Sequence, residues 1–246
     1  MKEHKDEEIY FAHQYGVETA AMVCPDVLDE LEELFKAPKH SFEYGQIVDG
    51  LKKIGIDHVY NEDYAKQSSN AQAAELLDKL LGKDCLILAE DYAARSFLEK
   101  YYPELKARFA FYDSPQRVFA ELMHKTHPGA KLYHIAGRNS FGAEARETGA
   151  VDYFINAREL YRIFLRTGVA PAKRRGVPPE PLAAYEPCRR YEALLNAGEW
   201  SFNGELEELR FEENGNTYTA AICTKLGQVK AAVENMDKYD VIKVIG

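Results

Sequence analysis

Residues Cys85 to Gln116 read CLILAEDYAARSFLEKYYPELKARFAFYDSPQ, and the order of residue types in this stretch decides the fold class. Cys85 to Ala89 is a short apolar run suited to a buried strand, and Tyr92 to Tyr102 carries apolar residues at helical spacing. Glu90 and Asp91 therefore fall where a strand hands over to a helix. In open α/β sheets the space beyond the carboxyl end of a strand is where ligands bind. The same acids also suit a helix N-terminus on electrostatic grounds alone, because the macrodipole favours negative charge there. Both readings stay open on spacing.

Working outward, the same alternation repeats. Thr19 to Val23 reads as a strand ended by Cys24-Pro25, and Asp26 to Phe35 as a helix with one apolar face. Ser41 is placed to cap a helix to Ile54, Asp57 to Tyr60 is strand-like, and Ala71 to Leu81 is a helix stopped by Gly82. Beyond the central stretch, Ser114-Pro115-Gln116 opens a helix to about Lys125. Lys131 to Ala136 is a strand that delivers Gly137, Arg138 and Asn139 into a loop; Val151 to Asn156 is the next strand and Ala157 to Thr167 the next helix, stopped by Gly168. Strands alternating with helices of this length predict an α/β fold with parallel pairing through right-handed crossovers.

After Thr167 the character changes. Five of the 10 prolines (Pro171, Pro178, Pro179, Pro181, Pro187) lie between there and Pro187, which reads as an extended linker or surface arm. Leu206 to Phe211 and Thr217 to Cys223 then flank Asn214-Gly215, a hairpin signal, and a helix near Lys225 to Met236 and a strand Val241 to Ile245 complete the sequence. The expected organisation is a polar lead-in over 1–18, an α/β region over 19–166, a Pro-rich linker or arm over 167–204, and a ββαβ segment over 205–246 packing back on the same domain.

The totals exclude several function classes. With 246 residues, 46% hydrophobic and 29% charged, the chain suits a globular core. A net charge of −9 argues against wrapping nucleic acid or an anionic membrane, and Lys173-Arg174-Arg175 is too short a basic cluster to reverse that. No apolar run is long enough to insert in a membrane, and the start MKEHKDEE is too polar for a secretory signal, so a cytoplasmic protein is expected. Cys24, Cys85, Cys188 and Cys223 form no CxxC pair, which argues against a zinc knuckle and a disulfide framework. His124 and His127 at i, i+3 look like a metal-ligand pair, but they precede the helix stop Pro128-Gly129, where histidines also suit the dipole. The common nucleotide, zinc and hydrolase signatures (GxGxxG, GxxxxGK, HExxH, GxSxG) are absent.

A series of motifs does carry a resemblance. FLEKYYPEL at Phe97 to Leu105, then Ser114-Pro115-Gln116 with a helix near Val118-Phe119, AVDYFINAREL at Ala150 to Leu160, Val23-Cys24-Pro25 and YDVIKVIG at Tyr239 to Gly246 occur along the chain. Together they resemble the C-terminal domain of the large chain of the iron-only hydrogenases. The resemblance implies two lobes of mainly parallel sheet covered by helices, meeting at a cleft that holds an iron cluster on cysteines from three loops.

Those cysteines are replaced here. The family's TSCCP maps onto Leu88-Ala89-Glu90-Asp91-Tyr92, so Glu90 stands for the proton-relaying cysteine and Asp91 for a cluster ligand. In the MPCxxKxxE loop Arg138 stands at the cysteine and Phe141 at the lysine, while Glu144 keeps the glutamate. Ser114 survives from the proton path, whose acidic pair falls on Ala71 and Gln72, and the last CxxxC loop is expected to be missing. A cubane cluster needs thiolates, and arginine is a permanent cation. The expectation is thus a hydrogenase-like protein with no catalytic residues, no metal, no iron-sulfur cofactor and no hydrogenase activity, acting as a structural or regulatory subunit on a hydrogenase or electron-transfer partner. The alternative is a small-molecule or metal-binding protein or enzyme that re-uses the former cleft with Glu90, Asp91, Arg138 and Glu144, Arg138 facing Asp91 or Glu90.

Overall fold

The computed structural model describes residues 9, 12, 14–82, 84–89, 92–137, 139–181, 198–213 and 215–244. In chain order the elements begin with β1 (Thr19–Val23), α1 (Val27–Phe35), α2 (Tyr44–Ile54), β2 (His58–Asn61), α3 (Asp63–Leu80), β3 (Leu86–Ala89) and α4 (Tyr92–Tyr101). They continue with β4 (Phe109–Phe111), α5 (Pro115–Thr126), β5 (Lys131–Ile135), α6 (Asn139–Thr148), β6 (Tyr153–Ile155) and α7 (Ala157–Thr167). The remainder are β7 (Glu199–Phe202), β8 (Glu207–Glu213), β9 (Asn216–Cys223), α8 (Leu226–Glu234) and β10 (Val241–Val244). They fall into two compact units, the first built from Met1–Ala65 and Pro115–Tyr185, the second from Lys66–Ser114 and Glu186–Gly246. The fold is α/β with mainly parallel sheets covered by helices, as the strand and helix alternation predicts.

The first unit holds a four-stranded parallel sheet in the order β2-β1-β5-β6. Side chains alternate across it. Ala21, Val23, Tyr133 and Ile135 share a core with Leu31, Leu51 and Phe164, and Ala20, Met22 and Leu132 share another with Phe119 and Met123. With both faces covered, all five residues of β1 are buried, which is why TAAMV carries no charged residue. α7 takes the predicted bounds because Asn156 Oδ1 accepts from Glu159 N–H (2.9 Å), Glu159 Oε2 accepts from Asn156 N–H (3.1 Å), and Gly168 closes the helix at φ 70°.

The second unit carries a six-stranded sheet in the order β4-β3-β10-β9-β8-β7. β4, β3, β10 and β9 run parallel, and β8 and β7 fold back antiparallel. Ile87, Ala89, Ala221, Cys223, Ile242 and Val244 enter one core, and Leu86, Leu88, Ala220, Ile222 and Val241 the other. The expected hairpin is present: β8 and β9 pair up to Glu213↔Asn216, and Gly215 in the turn has φ 78°.

Several boundaries differ from the sequence reading. α2 starts at Tyr44 rather than beside Ser41, because the Gln46 side chain accepts from Glu43 N–H (3.0 Å) and takes the capping role. α3 begins eight residues before Ala71, at Asp63, through a polar stretch in which Ala65 and Ser69 are nevertheless buried. Asn139, expected in the loop after β5, opens α6, a helix that the sequence reading does not place, while β4 and β7 are additional short strands, the latter inside the expected linker 167–204. Ile9, in the expected polar lead-in, is 1% exposed in the core of the first unit.

The proline-rich segment is bound along its described part. Val169 and Pro171 are buried, Arg174 pairs with Asp49, Val177 N–H donates to Gly45 O (3.0 Å) and Glu180 N–H to Val59 O (2.7 Å). It therefore runs as a strap over α2 and ends against β2 at Val59. Gly45 permits the approach, since a Cβ there would meet Val177 N and O at 2.9 Å.

Candidate functional site

The carboxyl edge of the first sheet is where the segment ending at Gly137 leaves β5. β1 ends at Cys24-Pro25, and Cys24 N–H still donates to Ile135 O (2.8 Å), so its side chain is held at the strand end. Cys24 Sγ lies 3.2 Å from His134 Nε2. With the Gln116 carboxamide turned so that its NH2 faces the ring, it donates to His134 Nδ1 (3.1 Å) and Phe141 O (2.9 Å), and its oxygen accepts from Ala145 N–H (3.3 Å). That arrangement makes Nδ1 an acceptor and leaves the ring proton on Nε2, pointing at sulfur. Phe141 and Phe154 enclose the imidazole at 4.6 and 5.9 Å, and complete burial pulls its pKa down to about 3. His134 is thus neutral, and it orders the residues around it rather than shuttling protons at neutral pH.

Around this core, Gly137 N–H donates to Asp26 Oδ1 (3.1 Å), and a Cβ at Gly137 would meet Glu30 Oε1 at 2.5 Å. Asp26, which precedes α1, and Glu30 within it thus flank the turn that leads to position 138. Glu144 lies on α6 and is 3% exposed. In the second unit Ser114 is fully buried. The loop before it is held by Ser69 Oγ donating to Asp113 O (2.6 Å) and by Gln72 Oε1 accepting from Asp113 N–H (2.9 Å), so Gln72 positions the loop backbone. Glu90, Asp91 and Arg138 lie outside the described residues, and with them the expected pairing of Arg138 with an acid. Of the cysteines, burial pushes the Cys85 thiol up to about 11 and the Cys223 thiol up to about 12.

At the opposite, amino edge of the first sheet is a cluster that the sequence reading missed. Glu18 precedes β1, His58 opens β2 and His127 follows α5. Glu18 Oε1 lies 2.8 Å from His58 Nε2 and 2.8 Å from His127 Nδ1. His58 Nδ1 lies 2.7 Å from Glu180 Oε2, whose other oxygen accepts from Lys52 Nζ (2.7 Å), and His127 Nε2 lies 2.8 Å from Tyr60 Oη. Hydrogen bonds from His127 and His58 hold the Glu18 carboxyl below the usual range. Burial opposes it, but Glu180 and then Glu18 raise the pKa of His58. The expected partner of His127, His124, is exposed on α5 and takes no part. The contributing segments lie far apart in sequence, so only the register Ala20↔His58 and Thr19↔Lys131 brings them together.

Two parallel-centred sheets, each wrapped by helices and threaded by a discontinuous chain, define an α/β protein of the hydrogenase architecture. The model of the iron only hydrogenase large subunit, C-terminal domain, matches residues 17–244, and the chain belongs to that family. Among solved structures, an apo [FeFe]-hydrogenase HydA1 from Chlamydomonas reinhardtii carrying a cysteine-to-histidine substitution is 17% identical, with a TM-score of 0.76 over 94% of this chain and 77% of that one. The HydA(deltaEFG) structure, which concerns stepwise H-cluster assembly, is 16% identical with a TM-score of 0.76 over 93% and 77%. A further [FeFe]-hydrogenase, from work on oxygen inactivation, is 16% identical with a TM-score of 0.76 over 94% and 78%. At these identities the likeness establishes the fold. No curated protein sequence matches. No described helix is long and apolar enough to cross a membrane.

Proposed function

We propose that this chain is a non-catalytic member of its family that works in the cytoplasm by docking to a redox partner, a hydrogenase or an electron-transfer subunit. The observation that carries the reading is the donor set. A cubane cluster needs thiolates. The positions that the family resemblance aligns with cluster ligands hold Asp91 and Arg138, Glu90 replaces the proton-relaying cysteine, and burial keeps Cys85 and Cys223 protonated at neutral pH. Cys24, the described cysteine at the carboxyl edge of the first sheet, is engaged with His134. These residues do not fit the family's cluster, and no hydrogen chemistry is assigned to them. Cys85 and Cys223, buried thiols held protonated, suit a reducing compartment.

The strap over 169–181 is held against its own unit, so it is a poor docking arm. β7 is a better candidate: all four of its residues are exposed, Trp200 at 52% and Phe202 at 65%, and it is the outermost strand of its sheet among the described residues. Exposed aromatics on an edge strand favour a protein partner. A second reading, a re-used ligand site, is favoured by the burial of Glu144, the one charged residue retained from the family's MPCxxKxxE loop.

The test is copurification from native cells with iron analysis, followed by anaerobic reconstitution with iron and sulfide. The expected protein is colourless, inactive with hydrogen and associated with a redox subunit, and the association is lost in Trp200→Lys/Phe202→Lys. A brown product absorbing at about 400 nm, or a protein that recovers no partner, overturns the docking role.

A further inference from the structure

We propose that Glu18, His58 and His127 form a binding site for one divalent transition-metal ion of the zinc class at the amino edge of the first sheet, separate from the carboxyl edge and from the docking role. One oxygen of Glu18, one nitrogen of His58 and one of His127 all lie within 4.8 Å of one another. The Glu18 oxygen touches both ring nitrogens at 2.8 Å. A tetrahedral shell with bonds of about 2.0–2.1 Å spaces its ligands about 3.3–3.4 Å apart, so each contact has to open by only about half an ångström. Glu18 allows this, its side chain being 44% exposed.

What separates this cluster from a chance meeting of polar groups is the far side of each imidazole. A ligating histidine characteristically gives its other ring nitrogen a hydrogen-bond partner, which fixes the tautomer and aims the lone pair. His58 presents Nε2 to the centre and Nδ1 to Glu180 at 2.7 Å, and Glu180 is in turn tied to Lys52. His127 presents Nδ1 to the centre and Nε2 to Tyr60 Oη at 2.8 Å. The rings lie 4.1 Å apart. The frame is rigid: Thr19, next to Glu18, is pinned by Asp57 Oδ2 accepting from its N–H and its hydroxyl (both 2.9 Å), and His58 sits in register with Ala20.

Two imidazoles with one carboxylate suit zinc and its first-row neighbours rather than calcium or magnesium, which prefer oxygen alone. Three protein ligands leave a position open to water or a small ligand, so the ion is exchangeable rather than enclosed.

The experiment titrates the chelator-treated full chain with Zn2+ by calorimetry and with Co2+ by visible absorption. The expected result is one ion per chain and a Co2+ ligand-field band, both lost in Glu18→Gln and in His127→Gln. Glu180→Gln should retain the stoichiometry with affinity weakened about 10–100-fold. Glu18→Gln carries the test if a histidine variant unfolds, because Glu18 is exposed, and far-UV circular dichroism of each metal-free variant checks the fold. Wild-type protein that takes up no ion at micromolar concentration, or Glu18→Gln and His127→Gln variants that bind like wild type, overturns the site.

Discussion

His134 Nε2 lies 3.2 Å from Cys24 Sγ, at the end of a polar chain that starts at Gln116 and is closed off from solvent. Its pKa falls from the ordinary 6.5 to about 3 because the charged ring has no water around it. The unfolded chain therefore takes up a proton that the folded chain refuses. This contribution to stability is complete above pH 6.5 and drains away as pH falls towards 3, at about 1.4 kcal/mol per pH unit once well below 6.5. Urea unfolding at neutral pH and again well below pH 6.5 should show that loss in the wild type and a shallower one in His134→Gln. Parallel pH profiles for the two proteins would remove this account.

Gly142 lies in α6 under the Phe154 ring, where an added Cβ would sit 2.7 Å from Cδ1. Replacing a helical glycine by alanine ordinarily gains about 0.5–1 kcal/mol. Here the clash should win, and Gly142→Ala should lose about 1–3 kcal/mol. Combining it with Phe154→Leu should recover part of that, a coupling that a double-mutant cycle reads directly.

Gly45 predicts a local effect. Its would-be Cβ meets main-chain atoms of Val177, which cannot rotate away. Gly45→Ala should release the strap while leaving the core intact, seen as faster tryptic cleavage after Arg174 and Arg175 with little change in the unfolding midpoint. Unchanged cleavage would mean that Arg174 with Asp49, and Glu180 with Lys52 and His58, hold the strap without help from this approach.

Asn156 and Glu159 each satisfy the other's backbone N–H at the start of α7. Asn156→Ala should cost about 1 kcal/mol, and Glu159→Ala less, because the first removes the N-cap side chain that answers an N–H of the first helical turn, whereas the second leaves only the N-cap residue's own N–H to be answered by water. Equal costs from thermal unfolding would assign the stability to burial of Leu160 and Phe164 instead.

What could be read without coordinates follows how local its cause is. β1 and α7 match residue for residue, because an unbroken uncharged strand and a helix with Asn156 and Gly168 at its ends carry their instructions in adjacent residues. The Asn214-Gly215 hairpin is of the same kind. β4 and β7 escape notice because each is a short edge strand whose neighbours, not its own pattern, make it a strand. α6 goes unplaced because Gly142 weakens its helical pattern, and that glycine is needed for packing against Phe154. The family motifs point to Glu144 in the first unit and Ser114 in the second, both buried, whereas Gln116 and His134 look like ordinary helix and strand residues until the fold joins them. The Glu18, His58 and His127 cluster has no sequence spacing to detect, since strand register alone assembles it.

The position of β10 between β3 and β9 has a consequence for how the protein is made. A ribosome releases Leu86–Ala89 long before Val241–Val244, the strand that must lie against it. At about 5–20 residues per second the wait is about 8–30 s, during which a fully apolar strand has one side unmatched among crowded neighbours. The second unit cannot close until Val244 has emerged, and a truncation just before Val241 removes a central strand, not a tail.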